Sequence, residues 1–556
     1  MWAQPRAGVA GDPAPAPISG DAVIRRPAGG SEIVITTTSR VAAAIHSLTW
    51  NGREFIDSHD HGRQLQSASN LDVDGTLFDE TFNPTEAGCE RDMAGPTSTS
   101  RLLWLSASGP ELHTITRMAF WLHPGQQSGG HPAKNTTALS NHILQKRVRI
   151  GAPGLPAPAC DHAIRHELTF TLPADERHTR ATFEALTGYM PQAFRRFHAL
   201  LPDGTLGPLT DGPGEQPHPV ILSTAEGGHA MGVWSPDAAR TTGRPATYGR
   251  FWFEHAQVSK WNCVFRETAA AGLEPGMYRY LVWVAVGTRE QVRETLATLR
   301  GSRETAGPVA PPIPPEPHLP VGEPAGPTAS AARRAADPPL QPGQPAARAP
   351  HRLEGFQILV DDRLLPGGPR EALGREALAF LAAKLAEIRI VLPPARLARL
   401  REVTIVLDES CGDLRTMQYH PSADWLADHG FPRSLARCVH LPRAADLATR
   451  RNVAEQPWVI LHELAHAYHD QVLGFDEPRI VAAWQAFKAG GDGERTLLYD
   501  GSRVRHYGLT DQKEFFAEMT EAFFGSNDFA PFNRAELKTG FPELHALLAE
   551  IWCPRE

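Results

Sequence analysis

Two kinds of hydrophobic spacing divide the chain. From residue 31 to about 286, short runs of β-branched and aromatic residues are separated by Gly, Pro, Asn and Asp. Ser31–Thr38, Arg101–Ala107, Leu112–Leu122, His142–Ile150, Ala163–Leu172, His178–Leu186 and Met277–Val286 are the predicted strands. Strands of this number and spacing predict an all-β sandwich. Thr288–Arg300 (TREQVRETLATLR) has the spacing of a closing helix. Beyond residue 352 the period lengthens to that of a helix. Gln357–Val360 and Val403–Leu407 are short predicted strands, Arg370–Ile388 is a long predicted helix, and further helices run from about Ala454 to the end. That order predicts an α+β domain of roughly 200 residues.

Between the two patterns, Gly301 to Pro350 holds 14 of the 49 prolines and almost no large apolar side chain. Such a stretch buries too little apolar area to offset its ordering entropy, and proline favours an extended backbone, so a semi-rigid linker is expected. The expected organisation is a flexible N-terminus at 1–30, a β-sandwich at 31–300, a Pro-rich linker at 301–351 and a metallopeptidase-like α+β domain at 352–556.

Composition narrows the function classes. With 41% hydrophobic and 21% charged residues, the 556-residue chain has the make-up of a multidomain globular protein. A net charge of −8 offers no electrostatic footprint for nucleic acid. No apolar run approaches the length of a membrane span. The opening Met1-Trp2-Ala3-Gln4-Pro5 shows no secretory leader, and the compartment stays open, with an extracellular or cell-envelope setting preferred. Six cysteines, three in each half and none in C-x-x-C spacing, predict no disulfide framework, with one or two bridges left open.

His462-Glu463-Leu464-Ala465-His466 is H-E-x-x-H within an apolar helical run. Positions i and i+4 share a helix face, so both imidazoles can reach one Zn²⁺. Glu463 is turned about 100° around the axis and can address a zinc-bound water instead. A third ligand must come from elsewhere. The extension that would put Gly at 469 and His at 472 is absent, because His469 and Val472 stand there. Residues 511–524 (DQKEFFAEMTEAFF) instead carry Glu514 and Glu518 at i, i+4 on an otherwise apolar helix. Two carboxylates there are costly to bury unless a cation compensates them.

The H-E-L-A-H run, Tyr507-Gly508 and Glu514-Phe515-Phe516-Ala517-Glu518 together resemble the catalytic domain of the anthrax lethal factor group, which includes the Pro-Pro endopeptidases. The resemblance implies a zincin-like domain of gluzincin type. His462, His466 and Glu514 are then the zinc ligands, Glu463 is the general base and Tyr507 assists the oxyanion or leaving group. Glu518 is implied to orient a ligand histidine. In the N-terminal half, Ile45-His46-Ser47-Leu48-Thr49-Trp50-Asn51-Gly52 and Glu54-Phe55-Ile56 resemble the first strands of galactose-mutarotase-like sandwiches.

The expected function is that of a zinc metalloendopeptidase acting on a peptide or protein. The alternative is a carbohydrate-binding or sugar-modifying sandwich beside a non-proteolytic zincin domain. His469 is a rival ligand, otherwise second-sphere or surface, while Cys411 and Cys438 are expected as a bridge or as two buried thiols. Asp57, His59, Asp60, His61 and Arg63 form a polar cluster that could bind a sugar or an ion, with a solvated loop as the plainer expectation. Asn135-Thr136-Thr137 fits a glycosylation sequon.

Overall fold

A computed structural model describes residues 18–302, 340–449 and 451–554. The expected flexible N-terminus and linker fall largely outside these residues. All seven predicted strands are present, and the closing helix, here α1, spans Arg289–Gly301. Thr288 caps it by accepting from the Gln291 N–H, while the Gln291 side chain reaches back to the Thr288 N–H.

The β half begins earlier than residue 31. Ala22–Ala28 pairs antiparallel with Ser31–Thr37, joined by Gly29 and Gly30 at φ 56° and 81°. A two-residue hairpin turn with both central residues at positive φ is where glycine is needed. Nineteen strands then build two antiparallel layers, which the short strand Pro84–Thr85 bridges by pairing with one strand of each. One layer includes Ser31–Thr37, Leu65–Leu71, Arg180–Pro191 and Val258–Thr268. The other includes Glu111–Phe120, Leu139–Ile150, Ala163–Leu172 and Gly276–Gly287. Their facing side chains, among them Ile35, Phe183, Trp261, Phe265, Leu168, Tyr280 and Val284, form the sandwich core.

The second layer is covered on its outer face as well. Leu281, Trp283 and Ala285 pack with α1, whereas Trp104, Ile115, Ile143 and Met277 join the core of the C-terminal half. Burial on both faces explains why Gly276–Gly287 (GMYRYLVWVAVG) reads as a nearly continuous apolar run.

The C-terminal half begins before residue 352. Gln344 donates to the Gly430 carbonyl at 2.9 Å, and Arg348–Leu353 is the first strand of a five-stranded mixed sheet. That sheet ends at the short edge strand Gln418–Tyr419, antiparallel to Val439–Leu441. Three helices matter for the site: α2 (Glu371–Val391), α3 (Val459–Tyr468) and α4 (Gln512–Phe524). On α2, Phe380 meets the Trp104 ring of the sandwich edge-on at 5.2 Å, and the Ile390 carbonyl accepts from the Ala174 N–H at 3.0 Å. The two halves therefore share one apolar interface and are not beads on a tether.

Candidate metal centre

The helix α3 is apolar on nearly every side, so it is buried, and its polar residues are the exception needing explanation. His462 and His466, one turn apart, meet with ring centroids 4.8 Å apart. Asp511 caps α4 by accepting from the Lys513 and Glu514 N–H groups at 2.8 and 3.0 Å. That cap sets the first turn of α4, and Glu514 projects from it toward α3. Glu514 Oε2 lies 3.1 Å from His462 Nε2 and 3.3 Å from His466 Nε2. Donors bound at 2.0–2.1 Å around a tetrahedral ion stand about 3.3 Å apart, so this triad has the spacing of a zinc ligand set.

The remaining carboxylates divide the work differently from expectation. Glu521, not Glu518, holds His462, with its Oε1 2.7 Å from Nδ1, whereas Glu518 Oε1 stands 3.8 Å away. Glu521 lies seven residues after Glu514, two full turns along α4, and therefore on the same face. A proton on Nδ1 shared with Glu521 would leave Nε2 as the atom able to coordinate an ion together with Glu514. Glu463 Oε2 accepts the Tyr419 N–H at 2.7 Å from the edge strand. The Tyr419 hydroxyl meets Asp470 Oδ2 at 2.5 Å, which ties that strand to the end of α3. Tyr507 opens a short turn packed against α4. Burial, then Glu514 and Glu463, push its phenol well above the usual range.

The charge balance favours a cation. Glu463, Glu514, Glu518, Glu521 and Asp528 are all buried around two imidazoles, and no Lys or Arg pairs with any of them among the described residues. Burial, together with Asp528 and Glu521, pushes the Glu518 carboxyl well up, and its Oε2 has no hydrogen-bond partner. The donor set of two imidazoles and one carboxylate fits zinc with one position left open, and a cation there would lower the cost of burying these carboxylates together. His462, Glu463, His466 and Glu514 retain 8, 7, 6 and 4% of their surface, enough for a small group to reach them.

Other candidates resolve by burial and pairing. His469 is neither a ligand nor on the surface: it is fully buried between Phe475 and Phe516, and burial pushes it down to about 3. Cys411 and Cys438 are buried thiols without a bridge, and all six cysteines are free. His61 spans the Met93 and Arg40 carbonyls, while Arg63 pairs with Asp60 and Asp57, so that cluster clamps its own loop. The Asn135 amide is buried and donates to the Leu122 and Thr137 carbonyls, which removes it as a glycan acceptor. No motif in the sequence marks Glu521, Asp528 or the Tyr419 N–H as part of the site. The i, i+7 spacing of Glu514 and Glu521 was the available signal for the first, and the others depend on tertiary contact.

No protein-family model matches the chain, and a search of curated proteins finds no match. Among solved structures, an alpha-galactosidase from Lactobacillus brevis is 9% identical over 49% of this chain and 40% of its own, with a TM-score of 0.28. A putative aldose 1-epimerase from Klebsiella pneumoniae subsp. pneumoniae is 12% identical over 50% of this chain and 85% of its own, at 0.26. A GH36 alpha-galactosidase from Geobacillus stearothermophilus is 9% identical over 49% and 42%, at 0.27. The chain thus spans less than half the length of either galactosidase. Likenesses at this level carry no weight for activity, and the functional reading rests on this chain's own residues.

Proposed function

We propose that the protein is a zinc-dependent metallopeptidase of gluzincin type. One observation carries the reading: His462 Nε2, His466 Nε2 and Glu514 Oε2 converge at ligand spacing, with Glu463 beside them and held by a backbone N–H. Zinc at such a site supplies Lewis acidity, polarising a carbonyl and lowering the pKa of a water to about 7. Glu463 takes the proton from the attacking water and returns it to the leaving amine. Tyr507 donates a hydrogen bond to the oxygen on which charge develops. Glu521 keeps His462 in the tautomer that presents Nε2, and Tyr419 keeps the Glu463 carboxylate turned toward the site. The edge strand Gln418–Tyr419 lies beside these groups, and an extended peptide can pair with such an edge.

The test is Glu463→Gln in the full chain. Zinc content by elemental analysis should be unchanged, while cleavage of a proteome-derived peptide library falls by about 10²–10⁴-fold. Full turnover in that variant, or a wild-type chain that cleaves no peptide with zinc bound, overturns the reading.

A further inference from the structure

The β half holds a second set of two imidazoles and one carboxylate, remote in sequence from the first. His142 Nε2 and His178 Nε2 both face Glu176 Oε2, at 2.7 and 3.0 Å, and the three donor atoms lie within 4.8 Å of one another. The His142 and His178 side chains are 4 and 3% exposed, and Glu176 pairs with no Lys or Arg among the described residues. We propose that His142, Glu176 and His178 form a binding site for a borderline divalent cation such as Zn²⁺, which clips the edge of the sandwich that abuts α2.

Four features prepare the three groups for an ion. His142 sits where the pairing of Leu139–Ile150 with Glu111–Phe120 shifts register between Leu139 and Ile143, and such an irregularity re-aims a side chain. His178 Nδ1 lies 2.6 Å from the Asp72 carbonyl oxygen, which can only accept, so Nδ1 carries a proton. That outer partner leaves Nε2 as the coordinating atom, as in metal-bound histidines generally. Asp72 also clamps the loop carrying Glu176 and His178, because its carboxylate accepts from the Thr179 N–H and hydroxyl and the Arg180 N–H at 2.7–2.8 Å. Finally, the Glu176 side chain is 19% exposed, which gives an entry path and room for a water as the remaining ligand.

The other compact cluster in the C-terminal half lacks this freedom. In Asp408, Cys411 and His440, the Asp408 carboxylate is already taken by two Arg348 N–H groups at 2.7 and 2.6 Å. At Glu176 no guanidinium competes. The ion would join Leu139–Ile150 to the 173–179 loop, whose Ala174 N–H reaches the Ile390 carbonyl of α2. Its effect is therefore structural, and it is independent of peptidase activity.

The experiment uses the full chain carrying His462→Ala and His466→Ala, loaded with Zn²⁺ or Co²⁺ and dialysed. One equivalent of zinc, visible ligand-field bands with cobalt, and a melting temperature that rises with added zinc are expected. Adding Glu176→Gln should weaken cobalt binding at least tenfold. Absence of metal in a folded His462→Ala/His466→Ala chain overturns the site and leaves a hydrogen-bonded cluster only. If that variant does not fold, zinc is counted in an otherwise wild-type His142→Gln chain. A fall from two equivalents to one supports the site, and an unchanged count overturns it. Peptidase activity should survive His142→Gln, so this test fails or succeeds separately from the proposed function.

Discussion

Glu521 shows how much one buried carboxylate can carry. It is the partner of His462 Nδ1, so Glu521→Gln should keep the fold and weaken zinc affinity about 10–100-fold, measured by competition with a chromophoric chelator. The same substitution at Glu518, 3.8 Å from that nitrogen, should cost less. A different residue-scale effect belongs to Glu184 and Lys260, 3.3 Å apart in the sandwich. Burial raises the Glu184 carboxyl, but Lys260 and the Thr187 and Asn262 side chains outweigh it and hold it below the ordinary range of a glutamate. A depressed carboxyl stabilises in full above its unfolded pKa, and the gain is lost as the pH falls through its folded value. Lys260→Met should flatten this part of the acid limb in melting curves recorded from pH 7 to pH 3. It should also destabilise the chain near neutrality by about 1–3 kcal/mol, because the half-buried Glu184 loses its cation while Thr187 remains its partner.

At the scale of elements, the site depends on how α3 meets α4. Trp458 precedes α3, and its indole lies over Gly525, just past the end of α4. A Cβ at Gly525 would fall 2.2 Å from Trp458 Cε2, so only glycine permits that approach. Gly525→Ala should therefore destabilise by about 1–3 kcal/mol in urea titration and lower zinc affinity at the same time. If stability falls while affinity holds, the two helices are not registered through this contact. Thr510-Asp511 ahead of an apolar run is a local signal for the start of α4, and the apolar character of α3 was legible from the H-E-x-x-H surroundings. The contact between Trp458 and Gly525 was not, since nothing local marks two residues 67 positions apart as neighbours.

For the whole molecule, the sandwich is part of the support of α3, which carries the two histidines of the proposed site. Met277 Sδ accepts from Trp458 Nε1–H at 3.2 Å, Arg279 donates to Ser526 Oγ at 2.7 Å, and Lys538 pairs with Glu274 at 2.7 Å. A chain of residues 340–556 alone should therefore expose Phe380 and the Trp458 region and aggregate or bind a hydrophobic dye. Co-expression with residues 1–302 should restore solubility. A monomeric 340–556 fragment that melts cooperatively at the full-chain temperature would show that the shared interface is dispensable.

Period and local chemistry determined much of this protein without help from the fold. Runs of β-branched and aromatic residues between turn formers marked the principal strands, helical spacing marked α2 and α4, and the i, i+4 histidines marked one face of α3. These features are local, set by backbone geometry within a few residues. The tertiary structure alone decided which carboxylate holds His462, that His469 is buried among aromatics, and that the halves share an apolar interface across a proline-rich stretch. It also brought His142 to Glu176 and His178. Those outcomes depend on contacts between segments far apart in the chain, and their energy comes from burial and desolvation, which no single stretch of sequence expresses.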